Sequence, residues 1–154
     1  MIMPDGTPKV IEFNCRFGDP ETQPIMMRLK SDLAKLCKAT LDGKLARQSA
    51  EWDARASLGV VLAAGGYPDS YAKGKVIAGL DKADSESQKV FHAGTRQTDE
   101  GVVTSGGRVL CVVGLGETVA GAAEASYDAA RQICWDGVYF RRDIGHRAIA
   151  REQG

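Results

Sequence analysis

The sequence predicts an α+β chain: a strand and an amphipathic helix first, then a small β-rich unit that carries one helix. Three observations predict it. Apolar residues recur at helical spacing over residues 24–42. Short apolar runs separated by glycine turns fill residues 57–113. An alanine-rich stripe at helical spacing follows, from Val119 to Ile133. The boundary is placed between residues 50 and 51, so that 1–50 is the first unit and 51–154 the second. With 154 residues, the chain has room for one ordinary domain, or for a small domain and part of another.

Taken in order, Met1–Met3 is apolar and Pro4-Asp5-Gly6-Thr7 is a turn signal. Lys9–Phe13 reads as a strand. A turn of this kind usually joins two antiparallel strands, yet the first would be only three residues long, so the expectation is a hairpin cut short. Phe17–Pro20 forms a turn, and Pro24 suits a first helical turn because its missing N–H costs nothing there. Ile25, Leu29, Leu33, Leu36 and Leu41 then mark one continuous helix over 24–42, with Gly43 at its end. Trp52 is expected to be a packing residue. Ser57–Ala64 is a strongly apolar strand closed by Gly65-Gly66-Tyr67-Pro68. Val76-Ile77 suggests a short strand, 81–88 a loop or short helix, Lys89–Ala93 a strand and Thr98–Gly101 a turn. Val102–Thr104 and Arg108–Val113 flank Ser105-Gly106-Gly107 and are expected to form a hairpin. The second of these strands is apolar on both faces and should be central. Gly114-Leu115-Gly116 reads as a turn and Thr118 as the cap of the second helix. That helix should bury Val119, Ala123, Tyr127, Ala130 and Ile133 and end at Asp136-Gly137. Val138–Phe140 is short and apolar, and 141–147 reads as a charged turn.

Lys plus Arg and Asp plus Glu number 20 each, so no net field favours nucleic acid or an anionic membrane. Basic and aromatic residues are not interleaved as nucleic-acid binding would require. Arg141, Arg142 and Arg147 form a local basic patch, read as a solvated face or domain contact. The apolar runs are too short to span a bilayer, and the N-terminus has no basic-then-apolar leader pattern. The four cysteines, Cys15, Cys37, Cys111 and Cys134, lack CxxC spacing. They read as free thiols in a reducing compartment, with three disulfide pairings formally open. The expectation is a cytoplasmic, soluble protein.

The densest polar stretch is Lys9–Thr22. Glu12 and Asn14 lie two apart in the expected strand and share a face. A carboxylate and an amide oxygen are hard ligands suited to Mg²⁺ or Mn²⁺; an ordinary solvent-facing pair fits the pattern equally. Arg16 suits bidentate binding of phosphate or carboxylate, or an ion pair with Asp19 or Glu21. The turn Gly18-Asp19-Pro20-Glu21-Thr22 feeds a helix N-terminus. Its N–H groups suit an anion, while Asp19 or Thr22 suits the plain role of helix cap. Gly65-Gly66, Gly106-Gly107 and Gly114-Leu115-Gly116 match neither a P-loop nor a dinucleotide fingerprint and read as turns. His92 reads as a packed or hydrogen-bonded strand residue. Cys15 has no nearby histidine to activate it.

The run Val10-Ile11-Glu12-Phe13-Asn14-Cys15-Arg16-Phe17-Gly18-Asp19-Pro20-Glu21-Thr22-Gln23 resembles the end of the ATP-grasp domain in the phosphoribosylamine–glycine ligase family. The acid, apolar residue and Asn are common to ATP-grasp enzymes; the Arg-Phe-Gly-Asp-Pro-Glu-Thr-Gln extension is specific to this family. The resemblance continues through 57–68, 89–95, 106–112 and 142–145, and so covers essentially the whole chain. It implies that residues 1–50 are the end of an ATP-grasp domain and 51–154 the small C-terminal domain of the ligase. It implies an enzyme that uses ATP to join glycine to 5-phosphoribosylamine, giving glycinamide ribonucleotide, ADP and phosphate in purine biosynthesis. Glu12 and Asn14 match the family's Mg²⁺ or Mn²⁺ ligands. Arg16 matches a catalytic position facing the phosphates, and Arg16, Gly18, Asp19, Glu21 and Thr22 match the segment facing ATP and the small substrates.

The family enzyme is more than twice this length. The resemblance therefore implies that an N-terminal part of the ligase, with its adenine-binding lysine and phosphate-covering loop, lies outside these residues. The fragment alone is expected to be inactive. The alternatives are a non-catalytic module, partnered by the missing part or self-associating as a homo-oligomer, and a different ATP-dependent carboxylate–amine ligase.

Overall fold

The computed structural model describes residues 3–11 and 16–154. Its centre is a four-stranded antiparallel sheet. Strand β1 (Ala56–Ala64) lies between β5 (Arg108–Gly116) and β6 (Val138–Tyr139), and β2 (Gln88–His92) pairs with the far side of β5. β5 is therefore central, as its two-sided apolar pattern predicts, and Val109 to Val113 are all buried. Alternation along β1 sends Leu58, Val60, Leu62 and Ala64 into the core. Ser57, Gly59, Val61 and Ala63 then lie on the opposite face.

The core face is covered by α4 (Val119–Gln132), whose buried residues are Ala122, Ala123, Ser126, Ala129 and Ala130. Thr118 caps it as expected, its side chain accepting from Gly121 N. Gly114 and Gly116 are strand residues of β5, which corrects the expected turn. A Cβ on Gly114 would stand 2.6 Å from Ala122 O, and one on Gly116 would clash with the backbone at Ala122. The two glycines and the alanine stripe together let the helix sit down on the strand. Ser126, fully buried, joins the two: its Oγ accepts from Gly114 N at 2.7 Å and faces Leu58 O at 2.6 Å and Ala122 O at 2.9 Å as acceptors.

Two other expectations in this part need correcting. Val102–Thr104 and Arg108–Val113 do not pair with each other. β4 (Gly101–Thr104) forms a hairpin with β3 (Thr95–Thr98), and β5 belongs to the main sheet. The chain crosses between the sheets where Ser105 N and Gly106 N both donate to Gly94 O. Residues 75–77 run beside β4, with Ile77 N on Val102 O and Thr104 N on Lys75 O. His146 and Arg147, expected to close a charged turn, instead begin a helix, α5 (His146–Gln153). Glu152 on α5 accepts from Val119 N and Ala120 N and so caps α4 from outside. α3 (Leu80–Ala83) is one turn long.

The expected single helix over 24–42 is two: α1 (Thr22–Arg28) and α2 (Leu33–Leu41). At the break the backbone turns extended at Leu29 and pairs with residues 51–53. Lys30 N donates to Glu51 O, Asp53 N to Arg28 O, and Glu51 N to Ser31 Oγ. Asp32 then starts α2 by accepting from Lys35 N. The apolar period runs through this break because both helices keep it. Trp52 is bridged to Leu29 but stays 48% exposed, which corrects its expected packing role. Residues 9–11 are not in a strand, and Glu12 to Phe13, the rest of that expected strand, lie outside the described residues.

Candidate functional site

α1 lies on the face of the sheet opposite α4. Ser57 Oγ donates to Pro24 O, and a Cβ on Gly59 would stand 3.0 Å from the Pro24 ring. α1 covers only part of this face, and the turn that precedes it overhangs the uncovered part. In that turn Thr22 N and Thr22 Oγ1 both donate to Gly18 O, at 3.0 and 2.5 Å. The Glu21 carboxylate lies where a Gly18 side chain would be, 2.8 Å from an added Cβ to Glu21 Cδ. A side chain at this position would displace the flexible end of Glu21, and the Gly18 carbonyl is committed to Thr22.

Asp19 does not cap α1. No side chain caps that helix at Glu21. Asp19 Oδ2 instead pairs with Arg108 Nη2 at 2.8 Å. The register of β5 explains how Arg108 comes to be there. Leu62 faces Leu110, but Ala63 faces Arg108, so Val109 is the extra residue of a β-bulge. Without the bulge, Arg108 would point to the core face with Leu110. With it, Arg108 joins Ala63, Val61 and Cys111 on the face below the turn.

Asp19, Gln23, Arg108, Tyr67, Cys111 and Leu110 line a cavity of about 320 Å³ between turn and sheet. The Tyr67 ring lies against Gly107, 2.6 Å from a Cβ built there to ring Cε2, so a larger residue at 107 would push the ring aside. Gln23 Oε1 is shielded from solvent and has no hydrogen-bond partner among the described residues. Burial pushes the Cys111 thiol up to about 11, with the Asp19 carboxylate adding to the effect. A neighbouring apolar cavity of about 480 Å³ shares Pro20, Val61, Tyr67 and Arg108 with it and extends to Phe140 and Ile144.

The residues singled out in the sequence divide as follows. Gly18, Asp19, Glu21 and Thr22 form one turn above the cavity. Arg16 is exposed, and its Nη1 donates to Phe17 O at 3.0 Å; the ion pair with Asp19 that the spacing allowed is taken by Arg108. Glu12 and Asn14 lie outside the described residues, as does Cys15. Among the described residues no three His, Cys, Asp or Glu side chains converge as a metal site would need. His92 is an exposed strand residue bonded to Thr95 Oγ1. Arg141 is held by Asp143, and the turn around them is pinned by Tyr127 Oη, which donates to Arg141 O and accepts from Ile144 N. Gln23, Tyr67, Arg108 and Cys111 were not singled out. The Gly-Gly before Arg108 was the one available hint of a bulge.

Residues 57–147 match the family model described as "Phosphoribosylglycinamide synthetase, C domain". The chain belongs to this family. Every sheet residue that lines the cavity, from Val61 to Cys111, falls within the matched span. Curated relatives extend the similarity to nearly the whole chain. The phosphoribosylamine–glycine ligase of Vibrio cholerae is 63% identical over 153 residues, covering 99% of this chain and 36% of the relative. That of Escherichia coli O157:H7 is 62% identical over 154 residues, again with 36% of its length. The crystal structure of the Thermotoga maritima phosphoribosylamine–glycine ligase superposes with a TM-score of 0.69 at 36% identity, covering 90% of this chain and 34% of that one. The chain thus spans little more than a third of the relatives it matches.

Proposed function

We propose that this chain is the C-terminal part of an ATP-dependent ligase that joins glycine to 5-phosphoribosylamine, giving glycinamide ribonucleotide, ADP and phosphate. One observation carries the reading: identity above 60% over 99% of the chain to enzymes named for that reaction. Residues 1–50 are then the end of the ATP-grasp domain and 51–154 the C-terminal domain, and the protein works in the cytoplasm.

Glu12 and Asn14 are the oxygen donors that would hold Mg²⁺ or Mn²⁺, a donor set whose chemistry suits a hard cation. ATP supplies the phosphoryl group that makes the glycine carboxylate reactive. Arg16, free at the surface apart from its bond to Phe17 O, faces the phosphates and offsets their charge. The turn from Gly18 to Thr22 holds the small substrates beside them. The remaining two thirds of the ligase complete the nucleotide site, and the 154-residue chain alone does not turn over.

The test is a chimera in which the N-terminal remainder of one of the ligase relatives is joined to this chain at Met1. Expected is ADP release that requires both glycine and 5-phosphoribosylamine, with none from the 154-residue chain alone. An inactive, folded chimera beside an active parent ligase overturns the reading.

A further inference from the structure

The main sheet ends on one side at β6, two residues long, and on the other at β2, five residues long. An edge of that length with free outward groups is a template for a strand of another chain. The pairing with β5 fixes which groups those are. Leu115 N donates to Ser87 O and Ala93 N to Val109 O, so every second residue from 87 to 93 turns its backbone toward β5. Gln88, Val90 and His92 turn theirs outward.

Two of these outward groups are taken by the segment just before the strand. Asp84 Oδ1 accepts from Val90 N at 2.7 Å, and Ser85 N donates to Gln88 O at 2.9 Å. Lys89 Nζ donates to the other Asp84 oxygen at 2.6 Å. The single turn of α3 sets the carboxylate there: Ala83 is wholly buried, and the chain becomes extended at Asp84. The side chains of Asp84 and Lys89 are 43% and 50% exposed, so their ion pair adds little stability. What distinguishes the carboxylate is its place, on the middle residue of the outward set.

We propose that Asp84 keeps the chain from joining a second copy of itself edge to edge, by occupying the Val90 N–H that such pairing needs. Two identical strands pair antiparallel about a two-fold axis, so that the same patch meets itself. With Gln88, Val90 and His92 outward, the residue that faces itself is Val90. Val90 N of one protomer would donate to Val90 O of its partner and the reverse, and Gln88 of each would face His92 of the other. Asp84 takes the central donor of this array, and Ser85 takes an acceptor at its end. The axis would also set the two Asp84 carboxylates side by side, and like charges so placed repel. The guard stands apart from the cavity beneath the Asp19 turn and is independent of the ligase reading.

The experiment compares the parent 154-residue chain with Asp84→Ala, with Asp84→Asn, and with Asp84→Ala combined with His92→Pro. Mass is read by light scattering on a sizing column over a range of concentrations, with hydrogen exchange at Val90 and His92 alongside. Asp84→Ala should self-associate at least about tenfold more tightly than the parent. Its mass should tend to that of a dimer, and the Val90 and His92 amides should exchange more slowly as concentration rises. Asp84→Asn keeps a carbonyl oxygen for Val90 N and should match the parent. His92→Pro removes an outward N–H that the ladder to β5 does not use, and should undo the effect of Asp84→Ala. Association through the exposed apolar residues of the first half is common to all of these chains and does not distinguish them.

An Asp84→Ala chain with the parent's mass overturns the proposal. So does association that Asp84→Asn shows equally, or that His92→Pro leaves intact. An Asp84→Ala chain that no longer folds also overturns it, because Asp84 would then be a brace of the fold and not a guard of its edge.

Discussion

The two halves of this chain use their apolar residues in opposite ways. From Ala56 onward, alternate residues of β1, nearly all of β5 and the alanine face of α4 close on one another, and Val60, Leu62, Val109, Val112 and Val113 are wholly removed from water. Before residue 56, Ala39 is the one buried apolar residue among those described, while Val10 and Ile11 are more than 70% exposed and Leu41 is 88% exposed. The first half is tied within itself by the Arg28 guanidinium on Asp53 O, and to the second by polar contacts, Ser57 Oγ on Pro24 O and Asp19 on Arg108. Cooperative burial makes the later half a folding unit, and the earlier half a surface segment that rides on it.

The largest effect should come from the sheet. Leu62 is wholly buried in the core, so Leu62→Ala leaves a cavity there and should cost about 2–5 kcal/mol, read as a lower urea midpoint. Ser126→Ala comes next. It strips the acceptor from Gly114 N in a fully buried place, and should cost about 1–3 kcal/mol. A Ser126→Ala chain as stable as the parent would mean that Gly114 N finds another acceptor, and that the helix–strand seam is held by its glycines alone.

The contrast between halves also shows how much was legible in advance. The central position of β5 followed from five apolar residues in a row, and α4 from its cap and its alanine period, because both signals are local. Ser126 was missed, since a serine in an alanine stripe reads as tolerated rather than as a bridge to two strands. The hairpin was assigned to the wrong strands because Ser105-Gly106-Gly107 looks like a tight turn. Its actual task is to cross over Gly94, and that depends on a contact twelve residues back. The break between α1 and α2 was hidden by an apolar period that runs through it, although Ser31-Asp32 carried a start signal. At the site, the turn from Gly18 to Thr22 was visible as a run of unusual residues. Arg108 and Gln23 were not, because a bulge and an orphaned amide exist only once the chain has folded.

A third way to probe the boundary is acid. Asp53 receives the side-chain and backbone N–H groups of Arg55, and these hold its carboxyl well below the usual carboxylate range. The sign follows from linkage. A carboxylate whose folded pKa is depressed stabilises the fold above its unfolded value, and that contribution is lost as pH falls through the ordinary carboxylate range toward the folded pKa. Asp53→Asn removes the titration. Its stability should fall less steeply with pH below about 4, the unfolded carboxylate value, while at pH 7 it should lie below that of the parent. Parallel acid profiles for the two proteins would show that the 51–55 segment does not share in global unfolding, which would place the cooperative boundary after Arg55.

The smallest expected effect is the most telling about the first half. Leu41 is 88% exposed at the end of α2, on a helix whose buried contribution is Ala39 alone. Leu41→Gln should therefore change stability by no more than about 0.5 kcal/mol, the range of surface substitutions, against several times that for Leu62→Ala. In the chimera the same substitution is placed against whatever the rest of the ligase presents. If α2 packs on that remainder, Leu41→Gln should lower the melting temperature of the chimera while leaving the 154-residue chain untouched. If it is silent in both, Leu41 belongs to the free surface of the ligase and the apolar contacts of the first half must be sought at Val10, Ile11 and Phe17 instead. A large loss in the 154-residue chain itself would mean that the first half already has a core of its own, and the division between the halves drawn from burial would fall.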